Sequence, residues 1–428
     1  MDEKIILEVL SEQKEECAQM KPSDWCSRME EEQFEWDSPL AQVVIGVRRS
    51  GKSTLCHKVL LQHGIRYAYV NLDDDRLLRI NSSDLNTILS CIYQLYGPEI
   101  KYILLDEMQN VEGWHLFVNR LLRNGMHVFV TGSNAHLLSS ELATHLTGRY
   151  NEIRLYPFSF SEYCILKQLD IHGLTTKSKA SVKAAFTEYL INGGFPELIH
   201  VHNKRAYVQG LIETIITKDI KKRFRIRNTG ALRQISNHLI NNICQEINYD
   251  NLSKQFSIKS PTTSQKYISY LVQAFLIIQI HKFSFKSRER LRDSKGYVVD
   301  TGLIANRSEA LLPDNYGWRL ENIVYIELLR RAAPLFYDVY YYKPTSRSKE
   351  VDFVVCEQGR VIELIQVAYD ISTPKAYKRE TESLLQASEK LNCDQLTLIS
   401  LTESHEVNFN GHTIHIIHVI DWLLKTWS

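Results

Sequence analysis

The chain has 428 residues, 44% of them apolar and 10% aromatic, enough to bury a large core and to divide into about two to four domains. A net charge of +1 excludes a global field that would commit the chain to nucleic acid or an anionic membrane, so any such partner must be met by a local patch. The eight cysteines form no C-x-x-C pair, the opening Met-Asp-Glu-Lys lacks the basic and apolar regions of a signal peptide, and no uncharged apolar run has membrane-spanning length. These features predict a cytoplasmic protein with free thiols and no membrane partner.

Residues 1–40 are acid-rich, with Ile5, Ile6, Val9 and Leu10 at helical spacing. The competing idea is a solvated acidic tail, but the interspersed Trp25, Phe34 and Trp36 point to a helical segment docked before the next domain. From Ala41 onward short apolar runs alternate with helical patterns, the signature of a parallel sheet covered on both faces. Strands are expected at Gln42 to Ile45, Tyr67 to Asn71, Tyr102 to Asp106, His127 to Thr131 and Glu152 to Leu155. Helices are expected at Ser53 to Gln62, Ser83 to Tyr96 and Trp114 to Arg123.

Between the first strand and the first helix lies Gly46-Val47-Arg48-Arg49-Ser50-Gly51-Lys52-Ser53-Thr54, the G-x-x-x-x-G-K-[ST] phosphate loop in the strand-loop-helix setting it requires. The two glycines let backbone N–H groups and the helix N-terminus converge on a phosphate chain. Lys52 would reach the β- and γ-phosphates and Ser53 would ligate Mg²⁺. The third strand ends Ile103-Leu104-Leu105-Asp106-Glu107, a Walker B pattern. Asp106 would share the metal with Ser53, and Glu107 would accept a proton from the attacking water. A strand ending in a solvated acidic turn would look the same in isolation.

The fourth strand runs into Thr131-Gly132-Ser133-Asn134. Lying between the first and third strands, it would bring Ser133 or Asn134 to the attacking water, with Asn134 the chosen sensor; a plain Gly-Ser-Asn turn is the simpler account. Arg149 precedes the fifth strand, either as an arginine finger aimed at a neighbouring subunit, which requires a homo-oligomer, or as a surface partner of Glu152.

Together these segments, with Leu105-Asp106-Glu107-Met108-Gln109, Leu146-Thr147-Gly148-Arg149, Pro157-Phe158-Ser159-Phe160-Ser161-Glu162, Gly193-Gly194-Phe195-Pro196-Glu197 and Asp300-Thr301-Gly302-Leu303, resemble a family of prokaryotic AAA+ ATPases with a C-terminal restriction-endonuclease-like domain. The resemblance spans nearly the whole chain. It implies an α/β P-loop NTPase sheet at 41–157 after the segment 1–40, a helical lid at 158–230, a winged helix-turn-helix at 231–303 and the nuclease-like α+β domain at 304–428.

Inside the lid segment Lys218, Lys221, Lys222, Arg223, Arg225 and Arg227 crowd together, as a solvated helix face or as a nucleic-acid or nucleotide-sensing surface. Tyr249 to Phe256, a short turn, and Pro261 to Gln273 follow the helix-turn-helix plan. Thr262, Thr263, Gln265 and Lys266 would open the recognition helix, and Lys282, Lys286, Arg288, Arg290 and Arg292 would lie near the wing, placing duplex DNA among the candidate partners. Winged helices also serve as protein-docking modules.

The tail reads helix, three strands, helix, strand, the order of the nuclease-like core, whose metal site uses an Asp and then Glu-x-Lys. Asp352 fits the first position and Glu327 is a candidate helix carboxylate. Where Glu-x-Lys belongs the chain has Gln366-Val367-Ala368; a neutral amide is a poor Mg²⁺ ligand, and alanine cannot polarise water. A non-cutting domain is expected, against the competing idea that Glu327, Glu350 and Asp352 rebuild a metal site.

The expected activity is Mg²⁺-dependent ATP hydrolysis. The competing expectations are a nucleotide-gated binding switch with little turnover and a metal-dependent nuclease. The absence of an Asn-Lys-x-Asp guanine-reading motif favours ATP.

Overall fold

The structure, a computed structural model, describes residues 1–36, 38–133, 146, 148–226, 229–286, 293–307, 315–345, 348–409 and 411–425. The chain divides into two compact units, Met1–Leu155 with Gln273–Phe275, and Tyr156–Val272 with Leu276–Ser428.

In the first unit α1 (Glu3–Ala18) is capped by the Asp2 carboxylate and buries Ile6, Val9 and Leu10, one helical face. Then come β1 (Ala41–Ile45), α2 (Lys52–Gln62), β2 (Tyr67–Asn71), α3 (Leu85–Tyr96), β3 (Tyr102–Asp106), α4 (Trp114–Arg123), β4 (His127–Gly132) and β5 (Tyr150–Arg154). Among the described residues the five strands form one parallel sheet ordered β2-β3-β4-β1-β5. The expected α/β parallel sheet is therefore the observed one, and β4 does lie between β1 and β3. Its strands are near-continuous apolar runs because both faces are covered. The edge strand β2 is closed by α1. Gln13 donates to the Asn71 carbonyl at 3.2 Å and accepts its N–H at 3.0 Å, as a neighbouring strand would.

In the second unit the described residues after Pro157 carry α5 (Phe160–Leu166), α6 (Thr176–Asn192), α7 (Lys204–Thr214) and a π-helix, Ile215–Lys222. They belong to the same unit as the C-terminal residues. Arg330 donates to the Pro157 carbonyl at 2.7 Å and Arg319 to that of Ile191 at 3.3 Å.

Two of the sequence motifs meet here. Asp300, buried, accepts the N–H groups of Gly194 at 2.7 Å and Gly302 at 2.8 Å. A Cβ on Gly194 would lie 2.2 Å from the Phe158 carbonyl oxygen, which explains glycine there. Burial raises the Asp300 carboxyl to about 7, against the pull of those two N–H donors and of Arg330.

Next come α8 (Thr229–Asn241), β6 (Gln245–Glu246), α9 (Tyr249–Gln255), α10 (Pro261–Gln273), β7 (Ile277–His281) and β8 (Ser294–Val298). The helix, turn and helix lie where the sequence puts them, and β6-β8-β7 form a small antiparallel sheet.

After α11 (Gly302–Ala305) the tail runs α12 (Tyr316–Leu335), β9 (Asp338–Tyr342), β10 (Val351–Glu357), β11 (Arg360–Val367), α13 (Pro374–Leu391) and β12 (Leu396–Ser400), then β13 (His405–Phe409), β14 (His412–His418) and α14 (Val419–Leu424). The sheet order is β13-β14-β12-β11-β10-β9 among the described residues. The Phe283 N–H donates to the Tyr341 carbonyl at 2.6 Å, joining the end of β7 to β9.

Candidate active site

The first unit assembles its phosphate loop from the end of β1 and the start of α2. A Cβ on Gly46 would lie 2.1 Å from the Leu155 carbonyl oxygen, and Gly51 opens α2 in the left-handed conformation, φ +95°. Lys52, buried, holds its ammonium 3.0 Å from the Val47 carbonyl. Ser50 Oγ is buried with no hydrogen-bond partner among the described residues. Val47 is buried, Arg48 reaches Asp73 at 3.4 Å, and Arg49 and Thr54 are exposed.

Opposite the loop, Asp106 ends β3 with three hydroxyls on its carboxylate. Oδ1 accepts from Ser53 Oγ at 2.9 Å and from Thr131 Oγ1, and Oδ2 accepts from Tyr69 at 3.1 Å. The pairing of Ser53 with Asp106 puts hard oxygen donors together beside a phosphate loop, a set that fits Mg²⁺. Glu107 follows with φ +52°, rare for a residue with a side chain. Its N–H donates to Thr131 Oγ1 at 3.2 Å, and its Oε2 accepts from Ser133 Oγ at 3.2 Å and from the Gln109 amide.

Of the residues chosen from sequence, the structure brings together Lys52, Ser53, Asp106 and Glu107. Asn134 lies outside the described residues, as do Arg227, Arg288, Arg290 and Arg292. Arg149 is exposed just before β5, and Glu152 pairs with Arg154 at 3.0 Å.

Sequence reasoning gave no role to Tyr69, Thr131, Gln109 or Arg28. The first two stand inside apolar strands and read as core. Arg28, buried, donates to the Ser50 carbonyl at 3.3 Å, while the following turn ties to α2 through Glu31 and Lys58 at 2.7 Å. The N-terminal segment thus braces the phosphate loop. Behind the site His57 meets the Tyr67 hydroxyl at 2.6 Å, and burial lowers it to about 4, so it stays neutral.

Residues 38–164 match the family described as AAA domain, and residues 183–312 and 316–420 match two domains of unknown function, DUF8612 and DUF4143. The uncharacterized protein MJ1544 of Methanocaldococcus jannaschii is 31% identical over 398 residues, 90% of this chain and 88% of its own. An uncharacterized protein of Haemophilus influenzae is 33% identical over 405 residues, 91% and 95% of the two chains. The chain belongs to the MJ1544 family.

Its first unit is an AAA-type P-loop domain. Among solved structures, the Walker-type ATPase paby2304 of Pyrococcus abyssi aligns with 66% of this chain and 95% of its own at 13% identity and a TM-score of 0.40. Among the described residues no helix is long and apolar enough to cross a membrane.

The DUF4143 region holds the other candidate cluster. Glu327 is not placed for metal: it pairs with Arg330 at 2.6 Å and Arg331 at 2.8 Å inside the unit, spending both oxygens. Asp352 is buried and accepts the Val367 N–H at 2.8 Å, and Gln366 donates to Glu380 at 2.8 Å. The helix carboxylate facing this region is Glu321, which accepts from Tyr297 at 2.6 Å.

Lys295 on β8 enters the same cluster, 3.7 Å from Glu321 and bonded to Glu350. Burial works against its charge, but Glu321 and Glu350 outweigh that and raise its affinity for the proton. Burial, then Glu321, pushes the Asp352 carboxyl well above the usual carboxylate range, with Lys295 pulling the other way. Among the described residues no group of three or more His, Cys, Asp or Glu is arranged to hold a metal ion. Sequence spacing gave no sign of Lys295, which lies on a different sheet from Asp352.

Proposed function

We propose that the protein is a Mg²⁺-dependent ATPase whose reaction runs at the Lys52, Ser53, Asp106 and Glu107 cluster. The observation that carries this reading is the 2.9 Å contact between Ser53 Oγ and Asp106 with Glu107 next in the chain. Lys52 and the loop N–H groups would bind the β- and γ-phosphates from Gly46 to Thr54, with Ser50 Oγ adding a donor. Ser53 and Asp106 would hold Mg²⁺, which when bound supplies charge stabilisation to the phosphate oxygens. Glu107 would take the proton of the attacking water. Asn134 as sensor and Arg149 as a finger from a second copy complete the proposal.

The test is phosphate release by wild type, Lys52→Ala and Glu107→Gln. Lys52→Ala should lose nucleotide affinity by roughly tenfold or more, and Glu107→Gln should keep it while turnover falls about a hundredfold or more. Full turnover in Glu107→Gln would refute the assignment. Tight ATP binding with negligible wild-type turnover would favour the binding switch instead.

A second reading adds duplex DNA as a partner of the second unit. It is supported by the winged-helix order of α8 to β8 and by the exposed Thr262, Gln265 and Lys266 at the start of α10. The Phe224 ring stacks on Tyr270 at 3.9 Å, joining the basic run with exposed Lys221, Lys222 and Arg225 to that helix. Duplex binding should weaken steeply with salt, and Lys221→Ala with Lys222→Ala should flatten that slope. The terminal domain is proposed to be nuclease-like in fold and non-cutting. Metal-dependent cleavage lost in Asp352→Ala would overturn that.

A further inference from the structure

Glu107 directly follows β3 with an unfavourable backbone conformation, φ +52°, and such strain persists only where neighbours over-determine it. The neighbours here are polar and come from two sides. Thr131 and Ser133 on and after β4 meet its N–H and its Oε2 at 3.2 Å each. From the turn Met108–Asn110 the Gln109 amide Nε2 donates to the same Oε2 and lies 3.4 Å from Ser133 Oγ.

A glutamate has three side-chain torsions and, half-exposed, would sample many orientations. With one oxygen anchored by an amide and a hydroxyl, the carboxylate is confined to one. We infer that Gln109 is a positioning residue for Glu107, holding one carboxylate oxygen so that the group is aimed before water arrives. The inference rests on the reading of Glu107 as the proton acceptor.

A purely structural role for Gln109 is the weaker account. Gln109 is half-buried rather than part of the core, the turn's own backbone is closed by the Glu107 carbonyl accepting from Asn110 N at 3.0 Å, and the amide donates to Glu107 Oε2 and to Ser133 Oγ. Loss of aim by a general base is felt in turnover and not in ground-state binding, because phosphate and metal contacts are untouched.

Steady-state phosphate release by the full chain with Mg-ATP tests this. Gln109→Leu should lower kcat by about tenfold to a hundredfold with the KM for ATP unchanged. Gln109→Leu placed in Glu107→Gln should cause no further loss, since the aimed group is already gone. Gln109→Glu, similar in size but repelling the carboxylate, should lose at least as much as Gln109→Leu and serves if the leucine variant does not fold.

A wild-type kcat in either single variant, a kcat increase, or a loss carried by KM alone would overturn the role of Gln109. Wild-type turnover by Glu107→Gln would instead overturn the underlying assignment, so the two failures are distinct.

Discussion

Asp300→Asn isolates one buried proton. In the fold Asp300 keeps its proton to about 7, while the unfolded chain releases it near 3.8. Between those values the native state binds more protons than the unfolded state, so the contribution to stability is full below pH 3.8 and is lost as pH rises through 7. From pH 6 to pH 8 the loss from this group is about 1.4 kcal/mol, one decade of native-state proton affinity. Asn cannot titrate there, and it keeps one acceptor where Asp300 offers two oxygens to Gly194 and Gly302. One buried N–H is left without its acceptor, at about 1–3 kcal/mol. Urea unfolding at stepped pH should show the variant less stable at pH 6, with a pH 6-to-8 fall about 1.4 kcal/mol smaller than in wild type. Equal falls in the two proteins would refute the protonated Asp300.

Gly194→Ala should destabilise the second unit by roughly 1–3 kcal/mol, read as a lower thermal midpoint, because its Cβ would strike the Phe158 carbonyl. Lys295→Met removes the cation from Glu321, Glu350 and Asp352 and should cost about 3–5 kcal/mol in urea unfolding, part of it regained by adding Glu350→Gln. Tyr69→Phe deletes one donor to Asp106 and should raise the Mg²⁺ concentration for half-maximal phosphate release by about tenfold, with the midpoint of unfolding changed far less.

The parallel sheet was legible because its strands are unbroken apolar runs with sharp ends; β2, β3 and α4 fall on the expected residues. The phosphate loop and the Asp106-Glu107 pair were legible because their chemistry is local in sequence. What closes around them was not. Tyr69 and Thr131 share the strand pattern of core residues, and only their hydroxyls on Asp106 distinguish them. In the tail, Glu327 was a candidate helix carboxylate, and both its oxygens are spent on Arg330 and Arg331. Glu321 on α12 and Lys295 on β8 meet from a helix and a strand far apart in pattern, a contact no periodicity carries. The strands β13 and β14 went unread because histidine, threonine and asparagine break their apolar alternation.

The ammonium of Lys295 has a mechanical meaning as well as an electrostatic one. It is rooted in the small sheet β6-β8-β7, yet its counter-charges belong to α12 and to the approach to β10, and the Phe283–Tyr341 link fastens the same two pieces a few residues away. The small sheet β6-β8-β7 and the terminal sheet are therefore fastened twice, once by charge and once by a backbone hydrogen bond.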